Sequence, residues 1–531
     1  MKQRKYFDCF AAFGRPSIPD KDYPYDVETL ISDMAYSRVH AVAAVHNASI
    51  DYSFSYGNRL GLEIAKKNER IYSLSAVVSG SDYETCNQNY FKDLLNNGSV
   101  GFVILAHRFF KATLEPLSVK KMVEPLLEHK KPLVICDTYS DDFYGKIDAL
   151  AKCYPELPII LQGTFWRYDR SLFDIMDKHD NLYFDICVNH TNNVIEFTKN
   201  NFGINRVLYS CSWPYHSMPA IKATVEYADI TEEEKDLVAH GNACSLFGID
   251  KESLALYDDN DCRFDEIARE ADEGKPISFP VIDPHSHIVD DYKAVNDCVM
   301  FGGDCKTLYE KMSRLGIDTT ITAPWVGLQY DGIKGNEEAI KANSAIPSGF
   351  LAYSCCNVNY PEQIEQTIKY HEKYPDVFVG IKPYPPYQKF DLKDEVCTPW
   401  FEYADKHNLI ALIHADSPEY AEAVDVLSVR YPNITFILAH SGASYAIARK
   451  NSEVAKKHDN VVLDITYTST ARGMVEFLVN EVGADKVLFA TDMPMRDPAP
   501  QLGWVCYADI PLEDKKKILA ENIISIMKRR K

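Results

Sequence analysis

Four histidines, one lysine and one aspartate in the second half of the chain each close a short apolar run. His285 and His287 end VIDPHSHI and are two residues apart, so in an extended strand both project from one face. Lys382 follows VFVGI, His414 ends LIALIH, His440 ends ITFILAH and Asp492 follows KVLFAT. Imidazoles with one carboxylate are a donor set suited to zinc or another divalent transition metal. A lone histidine at a strand end is usually a hydrogen-bonded core or rim residue. Four of them with an aspartate, all at corresponding strand ends, make a metal centre the better reading.

Lys382 has three readings: a cation for a substrate carboxylate, a carboxylated bridge between two metals, or a rim lysine with its head in water. Arg449 and Arg496 are weaker candidates for anchoring an anionic substrate. Asp464 lies inside a run, where a structural role is as good a reading as a catalytic one, and Asp416 is equally open. His371, His407 and His458 fall on helical stretches or just before loops and read as surface residues.

The apolar runs that carry these residues are VIDPHSHI, DTTITAPW, FLAYSCC, VFVGIKPY, LIALIHAD, ITFILAH, VVLDITY and KVLFATD. Each has strand length and β-branched character, and stretches with helical spacing separate them. Eight strands alternating with helices over about 250 residues predict a (β/α)8 barrel, with chemistry at the C-terminal strand ends. The first half has the same alternation, and its landmarks recur in the second. Asp185 returns as Asp464, Gly203 as Gly483, Pro214 as Pro494 and Asn242 as Asn522. The chain therefore reads as α/β, two tandem (β/α)8 barrels, at 1–250 and 275–531, joined by an acidic linker at 251–274.

The first copy has lost the constellation. Phe10 and Ala12 stand for His285 and His287, Val103 for Lys382, Cys136 for His414, Gln162 for His440 and Ser212 for Asp492. Cys136, His107 and His216 are the remaining candidates for another site there, with core and loop roles preferred. The first barrel reads as catalytically dead.

Composition sets the outer limits. Hydrophobic residues are 46% and charged residues 25%, as in a folded globular protein. With 57 basic against 77 acidic residues the net charge is −20, which argues against nucleic acid and anionic membrane surfaces as partners. No apolar run nears the ~18 residues of a membrane span, and no secretory leader is evident. The 14 cysteines are mostly isolated. The expected location is the cytoplasm.

The second half resembles the amidohydrolase superfamily, on the pattern His-x-His, His, His and Asp after strands 1, 5, 6 and 8. IDPHSHI, GIKPYP, ILAHSGAS, VLFATDMP and a closing EN resemble its amidohydrolase-related branch, which includes aminocarboxymuconate-semialdehyde decarboxylase and related decarboxylases, lactonases and hydrolases. The resemblance spans nearly the whole second half and only the skeleton of the first. It implies one divalent metal, zinc first and manganese second, on His285, His287, His414 and Asp492. Asp492 would also move protons, and His440 would polarise water or substrate. It implies hydrolysis of a small anionic carboxylated or cyclic compound, with non-oxidative decarboxylation as the alternative. A non-catalytic scaffold is the rival of another class. In similar decarboxylases a neighbouring subunit lends an arginine to the substrate. If the two barrels form an internal pseudo-dimer, Arg167 or Arg170 would play that part, against the plainer reading of both as surface arginines.

Overall fold

The computed structural model describes residues 3–530 apart from 79–86, 106–113, 137–141, 259, 261, 291–294 and 468. It divides into two units, Met1–Arg263 and Phe264–Lys531.

In the first unit the strands are β1 (Phe7–Phe13), β2 (Ala41–His46), β3 (Ile71–Ala76), β4 (Gly101–Ile104), β5 (Leu133–Ile135), β6 (Ile159–Leu161), β7 (Leu182–Asp185) and β8 (Val207–Leu208). They pair in sequence order and always in parallel. The ring closes where Cys9 N–H donates to Tyr209 O (3.1 Å) and Ala12 N–H to Trp213 O (2.9 Å). Alternation along the strands sorts the core into two layers. Phe7, Cys9, Ala41, Ala43 and Val45 pack together in one layer. Val42, Ala44, Phe102 and Ile104 pack with helix residues such as Leu30, Met34 and Val119 in the other.

In the second unit the strands are β9 (Ile282–Ser286), β10 (Thr319–Thr322), β11 (Phe350–Ser354), β12 (Phe378–Ile381), β13 (Ile410–His414), β14 (Thr435–Ala439), β15 (Val461–Asp464) and β16 (Val487–Leu488). They too are parallel and in sequence order. Gly380 on β12 allows a tight approach to β13, since a Cβ there would lie 2.3 Å from Ile410 O. The ring closes through the candidate residues themselves. Asp492 N–H donates to His285 O (2.8 Å) and His287 N–H to Met493 O (2.7 Å). Each unit is a (β/α)8 barrel, as the alternating runs predict.

Within the acidic segment 251–274, Lys251–Ser253 forms a short turn and Glu266–Asp272 a helix. Asp265 caps that helix and pairs with Lys515 at 2.6 Å, while Phe264 packs on Tyr507. Among the described residues, no helix is long and apolar enough to cross a membrane.

One surface assignment is corrected. His371 is buried, at 3% exposure, with Nε2 2.7 Å from Ser354 Oγ and its ring against Phe378 and Tyr403. It shares the inward face of helix Glu362–Lys373 with Ile364 and Thr367, a spacing that marks the buried stripe of a helix. His407 and His458 are half-buried, and His458 bonds Asp425 at 2.7 Å.

Candidate metal centre

The barrel seam brings β9 and the segment after β16 together, and with them His285, His287 and Asp492. All three are buried: 1%, 2% and 4% exposed. The outer nitrogens of the rings are fixed by acceptors. His285 Nδ1 lies 2.9 Å from Asp464 Oδ2, and His287 Nδ1 lies 2.8 Å from Ala323 O. His440 Nδ1 lies 3.2 Å from Thr466 O and 2.8 Å from Thr466 Oγ1, a hydroxyl that donates its own proton to Asp464 Oδ1 and so accepts from the ring. A carbonyl or carboxylate oxygen only accepts, so each Nδ1 carries the proton. In a neutral ring the lone pair is then on Nε2.

Those lone pairs converge with a carboxylate. Asp492 Oδ1 is 3.0 Å from His287 Nε2 and 3.6 Å from His285 Nε2. The His285 and His440 ring centroids are 5.0 Å apart. Among the described residues, two groups bring ligand atoms within 4.8 Å of one another: His285, His287 and Asp492, and His285, His440 and Asp464. Acceptors that face each other in a buried site need a cation between them, so the donor set fits a divalent metal.

The local electrostatics agree. Burial, reinforced by the Lys382 charge, holds His285 well below the usual histidine range. Burial and the neighbouring His414 lower His440 to about 3. Burial alone would raise Asp492, but its close approach to His287 and the surrounding histidines bring it well below the usual carboxylate range. Lys382, 1% exposed, has Nζ 3.5 Å from His285 Nε2. Burial brings it down to about 8, against the pull of Asp464 and Asp492.

His414 sits beside this cluster. Its ring is 4.6 Å from that of His440, its Nε2 is 3.1 Å from Asp416 Oδ1, and its buried Nδ1 has no hydrogen-bond partner. Aromatic rings surround the centre. Trp325 lies 5.2 Å from His287, Tyr384 5.5 Å from His414 and Tyr467 6.1 Å from His440. None of the three was singled out in the sequence. Trp325 and Tyr384 follow strand ends closely, and that position was the available signal.

An amidohydrolase family model matches residues 282–526. Residues 282–526 form an amidohydrolase-family enzyme domain. Comparison with curated protein sequences gives no match. Among solved structures, a putative amidohydrolase from Staphylococcus aureus is 14% identical, covering 47% of this chain and 99% of its own, with TM-score 0.37. 4-Oxalomesaconate hydratase from Rhodopseudomonas palustris is 18% identical over 47% and 96%, with TM-score 0.37. 5-Carboxyvanillate decarboxylase from Novosphingobium aromaticivorans, complexed with manganese, is 15% identical over 47% and 96%, with TM-score 0.38.

Outside the cluster, the amidohydrolase domain places Arg449 with its guanidinium over the Tyr445 and Phe477 rings, at 5.6 and 5.4 Å. Arg496 is buried and donates to Met495 O at 2.8 Å. In the first unit, Arg167 is exposed and stacks over Trp166 at 4.4 Å, and Arg170 is exposed on helix Asp169–Lys178. His107 lies outside the described residues. Cys136 is buried, and burial lowers His216 to about 4.

The first barrel keeps the frame of the amidohydrolase domain without its donors. Asp8 Oδ1 accepts from Phe10 N–H (3.1 Å) as Asp283 Oδ1 accepts from His285 N–H (3.0 Å). Asp185 Oδ1 accepts from Gly163 N–H (3.1 Å) as Asp464 Oδ1 accepts from His440 N–H (2.9 Å). The counterpart of His440 is therefore Gly163, and the pairing with Gln162 is corrected by one residue. Both positions are left-handed, with φ of 72° at Gly163 and 64° at His440. Glycine takes this conformation freely, whereas a histidine is strained there by about 1–2 kcal/mol. The second barrel carries that strain at His440, and the first does not carry it at Gly163.

Proposed function

We propose that the second barrel is a metal-dependent hydrolase of a small anionic, carboxylated or cyclic organic compound. The observation that carries the reading is the meeting of the His285 and His287 Nε2 lone pairs with the Asp492 carboxylate. These three residues hold one divalent cation, zinc or manganese. His414, whose buried Nδ1 lacks a partner, is the proposed fourth donor. When bound, the cation supplies Lewis acidity and makes a coordinated water far more acidic than bulk water.

The chain's residues supply the rest. Asp492 takes the proton from the attacking water and passes it to the leaving group. His440 presents Nε2 to the same space and stabilises charge on the substrate oxygen. Lys382, buried beside the centre, pairs with the substrate's anionic group. Trp325, Tyr384 and Tyr467 give the site apolar walls that exclude water.

The depth of Lys382 favours one second reading, non-oxidative decarboxylation, because it brings a substrate carboxylate to the centre itself. Asp492 would then deliver a proton to the carbon that loses CO2. Incubating the zinc- or manganese-loaded protein with lactones, amides and carboxylated aromatics separates the two. Hydrolysis of the first two classes supports the proposal. CO2 release from the third alone transfers it to the second reading, and no turnover of any class contradicts both.

A further inference from the structure

The Asp464 carboxylate touches two parts of the centre from behind, through different oxygens. It is fully buried at the end of β15. Its Oδ2 bonds His285 Nδ1 (2.9 Å). Its Oδ1 accepts from His440 N–H (2.9 Å), Thr466 N–H (3.1 Å) and Thr466 Oγ1 (3.0 Å). One oxygen therefore ties the loop after β14 to β15, and the other grips a histidine ring on the far side of the barrel seam.

The first barrel separates these two jobs. Asp185 occupies the same place and keeps the main-chain bonds, from Gly163 N–H (3.1 Å) and Cys187 N–H (3.3 Å). Its Oδ2 has no histidine to grip, because Phe10 stands in that place, and the side-chain neighbour of the carboxylate is the Cys187 thiol instead. Holding the strand-end loops thus needs only Oδ1, and the fold closes without the bond that Oδ2 makes in the second barrel. That bond belongs to the site.

We propose that Asp464 is a positioning residue, which fixes His285 as the Nδ1–H tautomer and so keeps its Nε2 lone pair turned toward Asp492. This rests on the metal reading above. Asp464→Asn is the sharp variant. The side-chain oxygen can still accept from His440 and Thr466, so the loops stay tied. The new NH2 group donates to His285 Nδ1, which moves the ring proton to Nε2 and blocks the donor atom. Outer-shell changes of this kind typically cost about 10–100-fold in metal affinity.

The test is competition of zinc ion between the full chain and a chromophoric chelator, for the parent, Asp464→Asn and Asp185→Asn, with unfolding midpoints measured on the metal-free forms. The proposal expects a loss of about 10–100-fold for Asp464→Asn, none for Asp185→Asn, and metal-free midpoints close to the parent's. Parental affinity in Asp464→Asn overturns it, and so does an equal loss in both variants. A parent that binds neither zinc nor manganese overturns the metal reading itself, and this inference with it. If Asp464→Asn does not fold, the 15N spectrum of the His285 ring in the metal-free parent decides. A proton on Nδ1 supports the proposal, and one on Nε2 contradicts it.

Discussion

Asp492 Oδ1 lies 3.0 Å from His287 Nε2, and the opposite nitrogen of that ring is committed to the Ala323 carbonyl at 2.8 Å. Two acceptors so close in a buried site suit a cation between them. Removing one ligand, or the negative charge of the carboxylate, should empty the site. His287→Ala and Asp492→Asn are expected to weaken metal binding by more than about 100-fold, beyond an outer-shell change, and to abolish turnover. Phe10→Ala, at the His285 position of the first barrel, should leave metal content unchanged while costing stability through a cavity. Equilibrium dialysis followed by metal analysis checks all three.

Lys382 distinguishes one metal from two. In a single-metal site Lys382→Ala should raise KM for an anionic substrate by about 10–100-fold, the worth of a hydrogen bond between charged groups, with metal content unchanged. A fall from two metals per chain to one would instead mark a carboxylated bridging lysine.

His371 predicts a pH effect on stability away from the centre. Burial, with smaller contributions from His407 and Arg530, lowers its pKa to about 3, so the folded state keeps it neutral. The unfolded chain takes up the proton below about 6.5. The stability this group contributes is complete above that pH and is lost as pH falls toward 3, at about 1.4 kcal/mol per pH unit. His371→Gln lacks this loss. In urea unfolding of the chelator-treated protein, the deficit of the variant relative to the parent should shrink from pH 7 to pH 5. A deficit independent of pH would contradict the assignment.

Gly163 offers a test of backbone strain alone. Its φ is 72°, and a Cβ there would meet nothing within 4 Å. Gly163→Ala should therefore cost about 1–2 kcal/mol from conformation, without a clash and without any change in metal binding. A neutral result would show that the left-handed turn relaxes freely, and the strain inferred at His440 would go with it.

The barrels were legible because strand and helix periods alternate clearly and the duplication repeats them. The site residues were legible as polar endings of apolar runs. What escaped depended on three-dimensional partners. His371 looked exposed because a lone polar residue on an amphipathic helix carries no sign of the Ser354 hydroxyl that satisfies it. Asp464 looked ambiguous because its two roles use different oxygens. The Gln162 pairing slips by one because IILQ aligns with ILAH as well as LQG does with LAH, whereas the hydrogen bond from Gly163 N–H to Asp185 fixes the register.

The central claim is that the second barrel holds a metal and the first does not. Metal analysis of the full chain, purified after expression with added zinc or manganese, tests it most directly. The account predicts about one ion per chain, lost in His285→Ala and kept when Ser212 in the first barrel is changed to Ala. A chain that carries no metal under those conditions, or one whose metal survives His285→Ala, would contradict it.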